Sequence, residues 1–210
     1  MTEADFLELN QNWMKAVFPH LVNGGLLSSF IDWRGLPMAQ AAATSLGLTP
    51  IDLVVWANAN AVIGSLYRSE HKLLPVFKKG SVAHVKSIAV GKRGRHRSNL
   101  WTYPATLLES DARLGRQDHP TVKPTSMLED ALIDLTNRGE IVLDPFLGPG
   151  STLIAAQNTG RVCCGVELDP LYVDVIIRRY RASTGIAAIL ADSGETFEQV
   201  RGPRARISLI

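Results

Sequence analysis

The chain has 210 residues, 46% hydrophobic and 20% charged, the balance of one globular domain with room for a real core. A net charge of only +2 rules out reading a polyanionic partner from bulk charge, so the placement of the charges must carry that question. No run of about 18 apolar residues occurs, which argues against a membrane-spanning helix.

The N-terminus, MTEADFLELN, lacks the basic start and apolar run of a signal peptide. Thr2 and Asp5 form a capping box for a first helix, with Phe6, Leu9, Trp13 and Val17 spaced along one face. Asn23-Gly24-Gly25 breaks the chain, and LLSSFIDW at 26–33 reads as a strand. An Ala-rich helix over 36–46 ends at Gly47. IDLVVWAN, from Ile51, is a near-continuous apolar run, the pattern of a strand buried on both faces. HKLLPVFKK is a further strand, and Pro75 within it favours a sheet edge, because proline cannot donate to a ladder. Residues 81–118 show poor periodicity and read as a mobile surface segment.

Order resumes at Pro120. A helix over 125–138 stops at Gly139, followed by strand EIVLD, loop PFLGPG and helix STLIAAQNTG. RVCCGVEL is the next strand, and its adjacent cysteines, Cys163 and Cys164, are expected as two buried thiols in a reducing cytoplasm. A helix from Pro170, a strand IAAILAD and a short helical tail complete the pattern. Alternating strands and helices predict an α/β fold with a parallel, doubly wound sheet.

The sharpest local signal is DPFLGPGST, from Asp144 to Thr152, at a strand-to-helix turn. Glycines there let the backbone approach a ligand, and the helix N-terminus offers free amides. Glu167, closing the next strand, can accept hydrogen bonds from ribose hydroxyls. A plain tight turn with Glu167 as a solvated carboxylate fits the same residues. Neither a dinucleotide fingerprint nor a Walker loop is present.

DPFLGPGST resembles motif I of the DNA methyltransferases that modify exocyclic amines, and HPTVKP, from His119 to Pro124, resembles their motif X. IDLVVWANANAVIGSLYRSEHKLLPVFKKG and NLWTYP are similar to segments of the same family, in the motif order called beta. The resemblance implies a single Rossmann-like methyltransferase domain over 1–210: a catalytic-half remnant at 1–80, a variable DNA-facing segment at 81–118 and a cofactor-binding half at 119–210. It implies S-adenosyl-L-methionine as cofactor, held by Asp144, Phe146, Gly148, Gly150, Thr152 and Glu167, with His119, Thr121, Lys123 and Pro124 at the methionine end. Pro149, where the family carries a small polar residue, is expected to weaken cofactor contacts. Asp192 either reaches the adenine of the cofactor or caps the next turn.

The family's catalytic tetrapeptide, Asp/Asn/Ser-Pro-Pro-Tyr/Phe/Trp, does not occur in the chain, so no residue is assigned to catalysis. By the family's order it would precede Met1, on a central strand beside the one ending at Asp144. One central strand is therefore expected to be missing. A fragment, one half of a split enzyme with a partner chain, and a catalytically inactive domain that binds cofactor or nucleic acid all stay open. The implied reaction is methyl transfer to DNA in a bacterial or phage-type cytoplasm, with adenine N6 preferred over cytosine N4 and no metal. Lys86, Lys92, Arg93, Arg95 and Arg97 are the expected phosphate contacts, against the alternative of a solvated basic loop. A homodimer is a further expectation.

Overall fold

The computed structural model describes residues 1–62, 66–85, 97–104 and 122–202. Helix α1 (Glu3–Val17) begins at the expected capping box: Thr2 Oγ1 accepts the Asp5 amide, and the Asp5 carboxylate accepts the Thr2 amide. Its buried positions include Asn10 and Met14, whereas Leu9 faces outward. Strand β1 (Leu26–Ser28), helix α2 (Leu36–Ser45), strand β2 (Leu48–Val62) and strand β3 (Ser69–Lys79) follow. The connection from Val62 to Ser69 is too short for a crossover, which needs about a dozen residues, so β2 and β3 pair antiparallel. Strand β4 (Leu100–Thr102) then adds parallel to β2, with Trp101 beside Trp56.

These four strands form one sheet in the order β1-β3-β2-β4. Successive residues of β3 serve opposite faces. Leu73 and Phe77 join Met14, Ala39, Ala42 and Ala43 of α1 and α2 on one side. Leu74 and Val76 join Val54, Trp56, Trp101 and Met127 on the other. Burial on both faces explains the near-continuous apolar runs.

Three expectations change here. Pro75 lies in an interior strand, not at an edge. The Leu73 and Lys79 amides donate to Ile31 and Gly25, so odd-numbered amides of β3 face β1. Pro75 therefore points its missing donor at the interruption between Ser28, the last laddered residue, and the isolated bridge at Ile31. The predicted strand over 26–33 is accordingly reduced to three residues and that bridge. Residues 97–104, read as part of a mobile surface segment, instead carry a core strand.

Helix α3 (Thr125–Leu135) leads to a two-stranded parallel sheet of β5 (Ile141–Asp144) and β6 (Val162–Gly165), connected by α4 (Ser151–Thr159). Helix α5 (Pro170–Thr184) and helix α6 (Phe197–Arg201) follow. Among the described residues no ladder joins the two sheets. IAAILAD forms no strand; Ile189 makes a single bridge to Thr196. Local turn chemistry wins there, with Gly194 in a left-handed conformation and Thr196 and Gln199 in a capping box. The cysteines also differ from expectation: Cys163 is half-buried and Cys164 is exposed, on the same open sheet face as Ile141 and Val162.

Candidate cofactor site

Strand β5 delivers Asp144 to a loop that turns into α4. Asp144 Oδ1 accepts the Phe146 amide at 3.0 Å, which closes the first turn of the loop. The Leu147 amide donates to the Val166 carbonyl at 3.0 Å and the Gly150 amide to the Leu147 carbonyl at 3.0 Å. Gly148 and Gly150 have φ of +53° and +84°, a region that disfavours a side chain. A Cβ on Gly150 would also meet Ile176 of α5 at 3.0 Å.

Glu167 clasps this loop. Its Oε2 accepts the Gly148 amide at 2.8 Å, and its Oε1 accepts the Asp169 amide at 3.0 Å. The carboxylate thus bridges the two loops that leave β5 and β6, and each oxygen keeps acceptor capacity for a ligand hydroxyl. Sequence reasoning put Glu167 at the crevice but gave no sign of this clasp, because a loop amide is not specified by residue type. Pro149, which brings no amide, is anchored by its carbonyl, which accepts from the buried guanidinium of Arg179.

Ser151, which the sequence did not single out, opens α4 and is buried. Its Oγ has no hydrogen-bond partner among the described residues. A buried hydroxyl left in this state costs about 1–3 kcal/mol, so a polar ligand group at this helix N-terminus would relieve it. Thr152 is partly exposed on the same first turn. Phe146 presents an apolar ring at the mouth of the loop, 61% exposed.

Lys123 is half-buried just ahead of α3, its Nζ 5.5 Å from the Phe30 ring centroid. Burial lowers its pKa, the charge of Lys72 adds to that, and Asp144 opposes both. Asp144 therefore lies near enough for its charge to act on Lys123. Pro124 is buried at the N-cap of α3. His119 and Thr121 lie outside the described residues, as do Lys86, Lys92, Arg93 and Arg95.

Arg97 is described, and its guanidinium is engaged internally. It meets Asp130 at 2.7 Å, Asp134 at 2.8 Å and the Tyr103 hydroxyl at 2.8 Å, and stacks on Trp101. That geometry is a staple between the β4 segment and α3, not a side chain held out for phosphate. Asp192 sits exposed on the turn before α6, not at a strand end. Among the described residues no group of acidic, histidine and cysteine side chains could hold a metal.

A glycine cradle, a clasping carboxylate, an orphaned hydroxyl and an apolar ring suit a nucleoside ligand with a charged or polar tail. The family model described as DNA methylase matches residues 1–178. The chain belongs to the DNA methylase family. Among curated relatives, the type II methyltransferase M.BglII of Bacillus subtilis is 42% identical, over 69% of this chain and 45% of the relative. The DNA adenine methyltransferase YhdJ of Escherichia coli is 32% identical, over 43% of this chain and 30% of the relative. The chain thus spans less than half the length of either. Among solved structures, the M1.HpyAVI–SAM complex superposes with a TM-score of 0.66 at 23% identity, covering 80% of each chain. The PvuII cytosine-N4-specific DNA methyltransferase gives 0.73 at 16% identity, covering 85% of this chain and 71% of the other. These likenesses establish a shared α/β methyltransferase fold.

Proposed function

We propose that this chain transfers a methyl group from S-adenosylmethionine to an exocyclic amine of DNA, with adenine N6 as the target. The observation that carries the reading is the loop from Asp144 to Ser151, clasped by Glu167 and opening α4 with an unsatisfied buried hydroxyl. When bound, the cofactor supplies an electrophilic methyl on a sulfonium. The chain's own residues bind and orient it. Glu167 accepts from the ribose hydroxyls through its remaining lone pairs, and Gly148 and Gly150 let the backbone come close. Phe146 packs on an apolar face of the nucleoside. Ser151 and Thr152, with the free amides of α4, face its polar groups, and Lys123 attracts the methionine carboxylate.

His119, Thr121 and Pro124 complete the methionine end of this reading. Lys86, Lys92, Arg93 and Arg95 contact phosphates, so DNA affinity falls with salt. The target base leaves the stack before transfer. No residue of the chain is assigned to hold the target amine. The reading places the reaction in a bacterial-type cytoplasm; the described residues include no helix long and apolar enough to cross a membrane.

The test is incubation with methyl-tritiated S-adenosylmethionine and unmethylated duplex DNA, followed by digestion to nucleosides. Label eluting as N6-methyladenosine (the deoxynucleoside) is the expected result. Label in N4-methylcytosine would correct the target, and unlabelled DNA in the presence of bound cofactor would contradict transfer by these residues.

A further inference from the structure

Helix α1 carries an aromatic side chain that the cofactor reading does not use. Trp13 meets Phe146 edge-on, with ring centroids 5.6 Å apart and planes at 84°. Among the described residues Trp13 is the one aromatic neighbour of Phe146, whose ring otherwise stands largely in solvent. An exposed phenyl ring samples several staggered rotamers unless something selects one. Edge-to-face contact at this distance does so.

Trp13 is itself held in place. Its Nε1 donates to Asn10 Oδ1 at 3.1 Å, and Asn10 Nδ2 donates to the Phe6 carbonyl at 2.7 Å. Asparagine is a poor choice inside a helix, and Asn10 is 5% exposed, so burying it needs a reason. Both ends of its amide are spent, one on the helix backbone and one on aiming the indole. One residue further along α1, Met14 is fully buried in the core shared with α2 and β3. An unbroken line of fixed groups therefore runs from that core, through Trp13, to the ring at the mouth of the loop.

We infer that Trp13 is a positioning residue for the cofactor: acting through Phe146, it preorganises one wall of the S-adenosylmethionine site and couples α1 to the loop that follows Asp144. This inference rests on the cofactor reading above. Freeing the ring leaves the ligand to select its rotamer on binding and loses the aromatic pair, which together weaken binding about three- to tenfold.

Titration calorimetry with S-adenosylhomocysteine on the full chain tests it, using Trp13→Ala, Trp13→Phe, Phe146→Ala and the double Trp13→Ala/Phe146→Ala variant. The expected results are a three- to tenfold loss in Trp13→Ala, recovery to within about twofold in Trp13→Phe, and no further loss when Trp13→Ala is added to Phe146→Ala. Tryptophan emission gives a readout that needs no alanine variant: ligand should change the wild-type spectrum, and that change should be absent in Trp13→Phe. Equal affinity of Trp13→Ala and wild type, or losses that simply multiply in the double variant, would overturn the inference. So would an identical spectral response in wild type and Trp13→Phe. A wild type that binds, loses binding in Glu167→Ala and ignores Trp13 sinks this inference alone. A folded wild type that binds nothing removes the cofactor reading and this inference with it.

Discussion

Adjacent cysteines show how far a strand separates neighbouring side chains. Cys163 is half-buried, and burial first, then the charge of Asp144 and the neighbouring Cys164, push its thiol up to about 12. Cys164 points to the open face of the β5–β6 sheet. The thiolate is the nucleophile, so at pH 8 iodoacetamide should alkylate Cys164 in the folded chain and spare Cys163 until urea unfolds it. Peptide mass mapping reads this directly; equal modification of both thiols in the native chain would contradict the described burial. The folded state holds the Cys163 proton more tightly than the unfolded chain does. The stability this contributes is full below the ordinary thiol range and is lost as pH climbs toward about 12. Neither asymmetry was visible in the sequence, where the same apolar run suggested two buried thiols. The run marks a strand, but which face is covered depends on how the neighbouring helices pack.

At the scale of elements, one basic residue of the segment carrying β4 is fixed by α3. Arg97 is stapled to Asp130 and Asp134 of α3, and Asp134 is 2% exposed. Removing one partner of such a pair leaves a buried charge, so Arg97→Ala should destabilise the chain by about 2–4 kcal/mol in urea denaturation. Arg97→Lys should not restore it, because one ammonium cannot reach Asp130, Asp134 and the Tyr103 hydroxyl together. On the proposed reading, Arg93→Ala/Arg95→Ala should lower the slope of log affinity for DNA against log salt by about 2. An unchanged slope in the double variant would remove those two residues from the interface.

Local signals located most elements: the capping box of α1, the apolar runs of β2 and β3, and the turn between β5 and α4. What they missed was decided by distant partners or by competing turns. β4 exists because Trp101 finds the space beside Trp56. Pro75 fits an interior strand because β1 is interrupted opposite it. IAAILAD bends into a turn despite its strand composition.

Across the whole molecule, two packed units meet at the candidate site. The sheet of β1–β4 is covered by α1 and α2 on one face and α3 on the other, with a core on each side. The β5–β6 unit brings the glycine loop and Glu167. One side chain of the first unit reaches that loop, where Trp13 touches Phe146, and Phe30 lies under Lys123 just ahead of α3. The glycine loop was legible in the sequence because glycine, proline and acidic residues at a strand end carry backbone chemistry in their identity. The parts contributed from the other unit were not, since Trp13 and Phe30 read as ordinary apolar positions. The chain's membership of the DNA methylase family and this convergence of two units on one loop support the proposal that residues 144–167 contribute to an S-adenosylmethionine site.

The most direct measurement is isothermal titration of the folded, monodisperse chain with S-adenosylhomocysteine, beside Glu167→Ala and Asp144→Ala. Saturable binding with a Kd on the order of micromolar, lost in both variants, is the expected result. A folded wild-type chain that takes up no ligand, or variants that bind as tightly as wild type, would contradict it.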